Sequence, residues 1–176
     1  PIEAAAGITQ WMHAGMAVAA SLVTGALAAS LLAPSESDRA RRWTFAVAAC
    51  GVLGIPWVIV TGSLAYNDMA VVLLLATAML AWTSQDASGP GRAGMAVGLA
   101  LGAAVGAKLT AAGMAVLPFA VWAVLARRGS SVRDVMRAAA FALPVAGAVL
   151  LPWLVRNAIV VGNPLFPFAG SAPGWW

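Results

Sequence analysis

An all-α bundle of membrane-crossing helices with no β domain is the fold class this sequence predicts, and three observations carry the prediction. Hydrophobic residues fill 62% of the chain and charged residues only 9%, against about 25% charged in a soluble domain. The apolar residues come in long runs broken by short polar clusters, the pattern of a polytopic membrane protein. The basic residues are few and lie in short loops beside those runs, where they set membrane orientation. The net charge of +4 therefore gives no footing for nucleic acid.

Six apolar segments follow in order: 11–33, 43–65, 69–83, 94–107, 109–126 and 138–155. The first two match the roughly 20 residues that cross a hydrocarbon core of about 30 Å. The third is short, about 22 Å by helix rise, unless it starts among residues 66–68. The stretch 94–126 would measure about 50 Å as one helix and would hold Lys108 near its middle, where a cation is costly. Two short helices joined near Gly106-Ala107-Lys108 place that ammonium at an interface instead. They also put all the arginine-rich loops on one side, as the positive-inside tendency requires. The expected partition is Arg39, Arg41, Arg42, Arg92, Arg127, Arg128, Arg133 and Arg137 in the cytoplasm, with Lys108 and Arg156 alone on the far side.

Trp11, Trp43, Trp82, Trp122 and Trp153 lie near the proposed helix ends, as an interfacial aromatic belt would. Gly98, Gly102 and Gly106 recur at four-residue spacing, which reads as a helix-packing face. Cys50 is the only cysteine, so no internal disulfide forms. His13 reads as a packed polar residue, since nothing nearby completes a metal site. "GAAVGAK" (102–108) lacks the Gly-Lys-Ser/Thr ending of a phosphate-binding loop and follows an apolar helix rather than a strand. The chain starts at Pro1 rather than Met, which reads as a fragment lacking its upstream part.

The far side collects the unusual polar groups. Asp68 is the one acid of "SLAYNDMA" (63–70), Lys108 follows the fourth segment, and Arg156-Asn157 follow the sixth. Each has a plain structural reading: Asp68 as a helix N-cap, Lys108 as a snorkelling side chain, Arg156 as a boundary marker beside Trp153. Their convergence on one membrane face supports a functional reading. Lys108 and Arg156 suit an anionic partner such as a lipid phosphate, and a neighbouring carboxylate suits a base or a group that positions an acceptor hydroxyl. Beyond Arg156, Gly162, Pro164 and Pro167 end regular structure. "GNPLFPFAGSAPGWW" (162–176) reads as an extended loop on the membrane surface, with Phe166, Phe168, Trp175 and Trp176 dipping in.

"AYND" (65–68), "GLALGAAVGAKLTA" (98–111) and "LPWLVRNAIVVGNPLFPF" (151–168) together resemble the GT-C membrane glycosyltransferases. More narrowly they resemble the bacterial dolichyl-phosphate-mannose-type, ArnT-like branch that builds lipopolysaccharide core and surface glycans. The last stretch is the most specific, and the likeness runs from the first span to about Phe168. The resemblance implies a multi-pass enzyme of the inner (cytoplasmic) membrane with its active face extracytoplasmic. It would move a sugar from a polyprenyl-phosphate donor to a glycan, lipid or protein acceptor.

By the same resemblance Asp68 is a supporting acid near the donor sugar or acceptor, and Lys108 and Arg156 contact the donor phosphate. Tyr66 and Asn157 join them as substrate-binding residues, with Asn157 and Asn163 shaping the loop; no metal ligand is expected. The family's principal acid lies in the first large outer loop, upstream of Pro1, so residues 1–176 are expected to be a partial GT-C transmembrane domain. Two other readings of the residues stay open: a multi-helix transporter with Lys108 at a broken helix, and a non-catalytic membrane scaffold subunit.

Overall fold

The computed structural model of the chain describes residues 2–64, 67–84, 89–125 and 131–166, with side chains from Gly7 onward. Most of these residues are helical, with no strand among them. The helices are α1 (Ile2–Ser30), α2 (Asp38–Leu53), α3 (Pro56–Ser63), α4 (Asp68–Thr83), α5 (Pro90–Ala107), α6 (Leu117–Leu125) and α7 (Val132–Val161). A five-residue π-helical turn, Ala112–Val116, leads into α6.

Local chemistry accounts for the boundaries. Ser37 caps α2 by accepting from the Ala40 N–H at 3.2 Å. Pro56 opens α3 as its first helical residue, where its missing N–H would be unpaired in any case. A reciprocal capping box starts α7: Ser131 Oγ accepts from Asp134 N at 3.2 Å, and Asp134 Oδ2 accepts from Ser131 N at 3.1 Å. Gly162 ends α7 in the left-handed conformation, φ 72°, which costs a residue without Cβ nothing. Arg41 closes the other end of α1: its guanidinium donates to the Ala29 and Ala33 carbonyls at 3.1 and 2.6 Å. A cation at a helix C-terminus is favoured by the dipole as well as by these bonds.

Two helices are long and apolar enough to cross a membrane, Gly7–Ser30 and Val132–Val161, and α2 with α3 forms a third candidate bent by 64°. The segment 43–65, expected as one crossing helix, is two helices joined at a bend. Ile55 precedes a proline and is pushed into extended backbone, ψ 118°, which is where the steric clash with the ring drives it. α7 is longer than the 138–155 segment at both ends and runs through Pro144 and Pro152. Proline is accommodated inside helices at membrane depth when neighbouring groups take up the freed carbonyls.

The packing is inverted relative to a soluble protein. Alanine supplies most of the buried apolar positions, while Trp11, Trp57, Leu125, Leu143 and Ile159 stand exposed. An apolar exterior of this extent needs an apolar surround, and small residues inside let helix backbones approach closely. The closest approach joins α5 to α7. A Cβ at Gly94 would lie 2.2 Å from the Ala138 carbonyl oxygen, one at Gly98 2.3 Å from that of Ala142, and one at Gly102 2.8 Å from Ala146 Cα. The packing stripe is thus Gly94-Gly98-Gly102, one turn earlier than the expected Gly98-Gly102-Gly106; at Gly106 the nearest atom, Leu150 Cδ2, is 3.8 Å away.

These pairs rise together in number, so α5 and α7 run parallel. α1 and α4 are also parallel, since Ala17 and Ala20 meet Met69 while Ser30 Oγ lies 3.2 Å from Thr83 Oγ1. α4 and α5 run antiparallel, joined at one end by Asn67 and Ala107 and at the other by Trp82 and Val97. The bundle consequently has two distinct ends. Arg39, Arg41, Arg42, Arg92, Arg133 and Arg137 belong to one; Asp68, Lys108 and Arg156 belong to the other. Arg127 and Arg128 lie outside the described residues.

Candidate functional site

The polar end is built from three helix termini. α5 stops at Ala107 because Lys108 leaves the helix, φ −152° and ψ 112°, while its N–H still reaches the Ala104 carbonyl at 3.0 Å. The Lys108 carbonyl then accepts from Ala111 N at 2.8 Å, turning the chain toward the π-helical segment. Such segments recur at functional sites. The expected break near Gly106-Ala107-Lys108 is where the helix ends.

Asp68 is the first residue of α4 rather than its cap. The N-cap position falls to Asn67, whose side chain makes no capping bond and instead donates from Nδ2 to the Ala107 carbonyl at 3.0 Å. That bond ties the start of α4 to the end of α5 and brings Lys108 Nζ onto Asp68 Oδ1 as an ion pair. Each charge sits at the helix end whose dipole favours it, the carboxylate at an N-terminus and the ammonium at a C-terminus. The two side chains are 44% and 41% exposed, so the pair is open to a ligand, and an ammonium engaged by one oxygen keeps further donors.

Arg156 reaches the same end without joining the pair. The register of the α5–α7 contacts carries Lys108 to the level of Pro152, one helical turn before Arg156, about 5–6 Å along the axis. The exposed Arg156 side chain forms no ion pair with a described residue and donates from Nη1 to Asn157 Oδ1 at 3.4 Å. Asn157 itself is buried and donates from Nδ2 to the Phe166 carbonyl at 3.1 Å. Asn163 Oδ1 accepts from Leu165 N at 3.0 Å. The two asparagines thus hold the turn after α7 against the helix, and Asn157 has its amide committed to that turn.

A cavity of about 320 Å³ adjoins Asp68, lined by Trp57, Val60, Thr61 and Leu64. Sequence reasoning passed over Trp57 and Thr61, which looked like part of one long span. Only the bend at Pro56 turns their helix beside the carboxylate. Thr61 is buried, and its hydroxyl donates to the Trp57 carbonyl at 2.8 Å, within 3.3 Å of Met69 Sδ. Tyr66 lies outside the described residues, as do Phe168, Trp175 and Trp176.

Two other expectations resolve away from this site. Among the described residues, His13 is buried on α1 with no partner at Nδ1, and no group of three or more metal-ligating side chains occurs. Trp82 does not belong to an aromatic belt. Although near the end of α4, it is 4% exposed and packs in the core with Val97, Phe119 and Ala138. Trp11 and Trp43 are exposed, as belt residues would be.

Fold and site together define an all-helical protein with membrane-length helices and a small charged cluster at one end of its bundle. A family model matches residues 20–172, and the chain belongs to that family, described as a domain of unknown function (DUF8201). No curated protein and no solved structure matches it.

Proposed function

We propose that the bundle crosses the membrane about six times and transfers a sugar from a polyprenyl-phosphate donor to an acceptor at the extracytoplasmic face. The single observation that supports this most is the exposed Asp68–Lys108 pair, held by two helix ends on the face where Arg156 is the other basic residue among those described. The acceptor hydroxyl oxygen forms a bond to the anomeric carbon. The bond from that carbon to the phosphate oxygen breaks, and its electron pair leaves on the phosphate. Lys108 and Arg156 stabilise the charge that develops there. The hydroxyl proton passes to a base, which the family resemblance locates in the first large outer loop; Asp68 orients the sugar or acceptor. A donor carried by the bilayer would enter sideways, so the chemistry needs no nucleotide-binding loop.

The test uses the natural gene product in membranes and a radiolabelled polyprenyl-phosphate hexose or pentose. Lys108→Ala and Arg156→Ala are each expected to lower transfer by roughly a hundredfold, the scale of losing one charge-stabilising donor, with membrane insertion retained. Transfer at the parental rate in both variants overturns the phosphate assignment.

Topology is checked separately. In a Cys50→Ser background, single cysteines at 108 and 156 are expected to react with an impermeant maleimide from outside intact cells. A cysteine at 39 should react only after lysis. Labelling of 108 and 39 from the same side rules out the proposed threading.

A further inference from the structure

The opposite end of the bundle carries a second site. α6 and α7 pack on the inner helices rather than on each other, and the gap between them is a cavity of about 230 Å³. Phe119 and Ala123 of α6 form one wall, Val135 and Ala139 of α7 the other, Val97 of α5 the floor, and Trp82 of α4 closes it. The described lining residues are apolar or glycine and the wall exposes almost no polar surface; Trp82 Nε1 is buried behind it.

Water is a poor occupant here, because a buried water needs two or more polar partners and this lining offers none among the described residues. The cavity therefore suits an apolar body. A volume of about 230 Å³ with an apolar lining suits an alkyl chain. Leu143 and Val124 at its mouth are exposed, so it opens sideways, toward lipid. Charge supplies the remaining feature: Arg92 stands in the first turn of α5 and Arg133 and Arg137 in the first turns of α7, all exposed at this end. The nearby carboxylate of Asp134 is taken up by Ser131 N and Oγ.

We propose that this groove binds one anionic glycerophospholipid from the leaflet at the arginine-bearing end. An acyl chain fills the cavity, and the phosphate rests among Arg92, Arg133 and Arg137. The site is independent of sugar transfer and requires only that the bundle stand in a bilayer.

Native mass spectrometry of the natural gene product, reconstituted with equimolar phosphatidylglycerol and phosphatidylcholine, tests it. One retained phosphatidylglycerol is expected, preferred about tenfold over phosphatidylcholine. The Arg92→Gln, Arg137→Gln variant should lose that preference, since a charge-assisted bond is worth about tenfold or more. Ala139→Phe should abolish retention of both lipids by filling the cavity. Ala120→Phe, on the facing wall, gives the same reading should Ala139→Phe fail to fold. A diazirine on the acyl chain should crosslink to α6 or α7. Equal retention of the two lipids, retention undiminished by either filling variant, or a second copy of the chain in place of lipid overturns the proposal.

Discussion

Replacing Gly98 with leucine is expected to unseat α7 from the bundle. A Cβ at this position lies 2.3 Å from the Ala142 carbonyl oxygen and 2.8 Å from Ala142 Cα. Both are backbone atoms, so no rotamer change relieves the clash and the two helices must part. Even alanine should cost about 1–3 kcal/mol, the usual scale of overpacking by a methyl group, and a branched side chain more. The consequence is large because, among the described helices, the contacts of α7 run to α5, and most of its surface faces outward. Lipid supplies no hydrophobic drive to hold two helices together, so close packing has to do it. Gly98→Leu should therefore lower the unfolding midpoint in detergent sharply and lower the yield of a disulfide engineered between α5 and α7, since its two cysteines no longer approach closely enough. Gly106→Ala, where the nearest atom is 3.8 Å away, should leave both unchanged. Equal behaviour of the two variants would mean that the glycine stripe does not seat α7.

That contrast also marks how far the sequence could be read. Glycines at four-residue spacing announced a packing face, but spacing alone carries no register. The stripe begins at Gly94 because Ala138, Ala142 and Ala146 come opposite it, which only the pairing of two distant helices decides. Lys108 was legible as a break, since a cation within an overlong apolar run has few tolerable positions. The division of charge between the two ends was legible for the same reason. The bend at Gly54-Ile55-Pro56 was written in the chain yet submerged in apolar composition, and with it went Trp57 and Thr61 beside Asp68. Trp82 was misplaced because α4 is apolar on every side, so nothing in its pattern reveals which face turns inward. Asp68 reads as the cap by residue type; the cap falls to Asn67, whose bond to Ala107 belongs to tertiary structure.

Exchanging Asp68 and Lys108 separates a structural ion pair from a phosphate site. The pair is more than two-fifths exposed on both sides, and an ion pair of that kind contributes about 0–1 kcal/mol. Lys108→Ala should accordingly leave folding and insertion nearly intact, so a hundredfold loss of transfer cannot come from unfolding. Lys108→Asp alone sets two carboxylates against each other and should be the less stable variant. The double variant Asp68→Lys, Lys108→Asp restores attraction across the same gap and should regain the parental unfolding midpoint. Each charge then stands at the helix end that disfavours it, a penalty of about 0.3–1 kcal/mol at the surface, too small to prevent recovery. Transfer should nevertheless stay about a hundredfold down, because a carboxylate occupies the position from which the ammonium would neutralise the departing phosphate. If the exchange restores stability and transfer together, Lys108 serves Asp68 alone and the donor phosphate is held elsewhere.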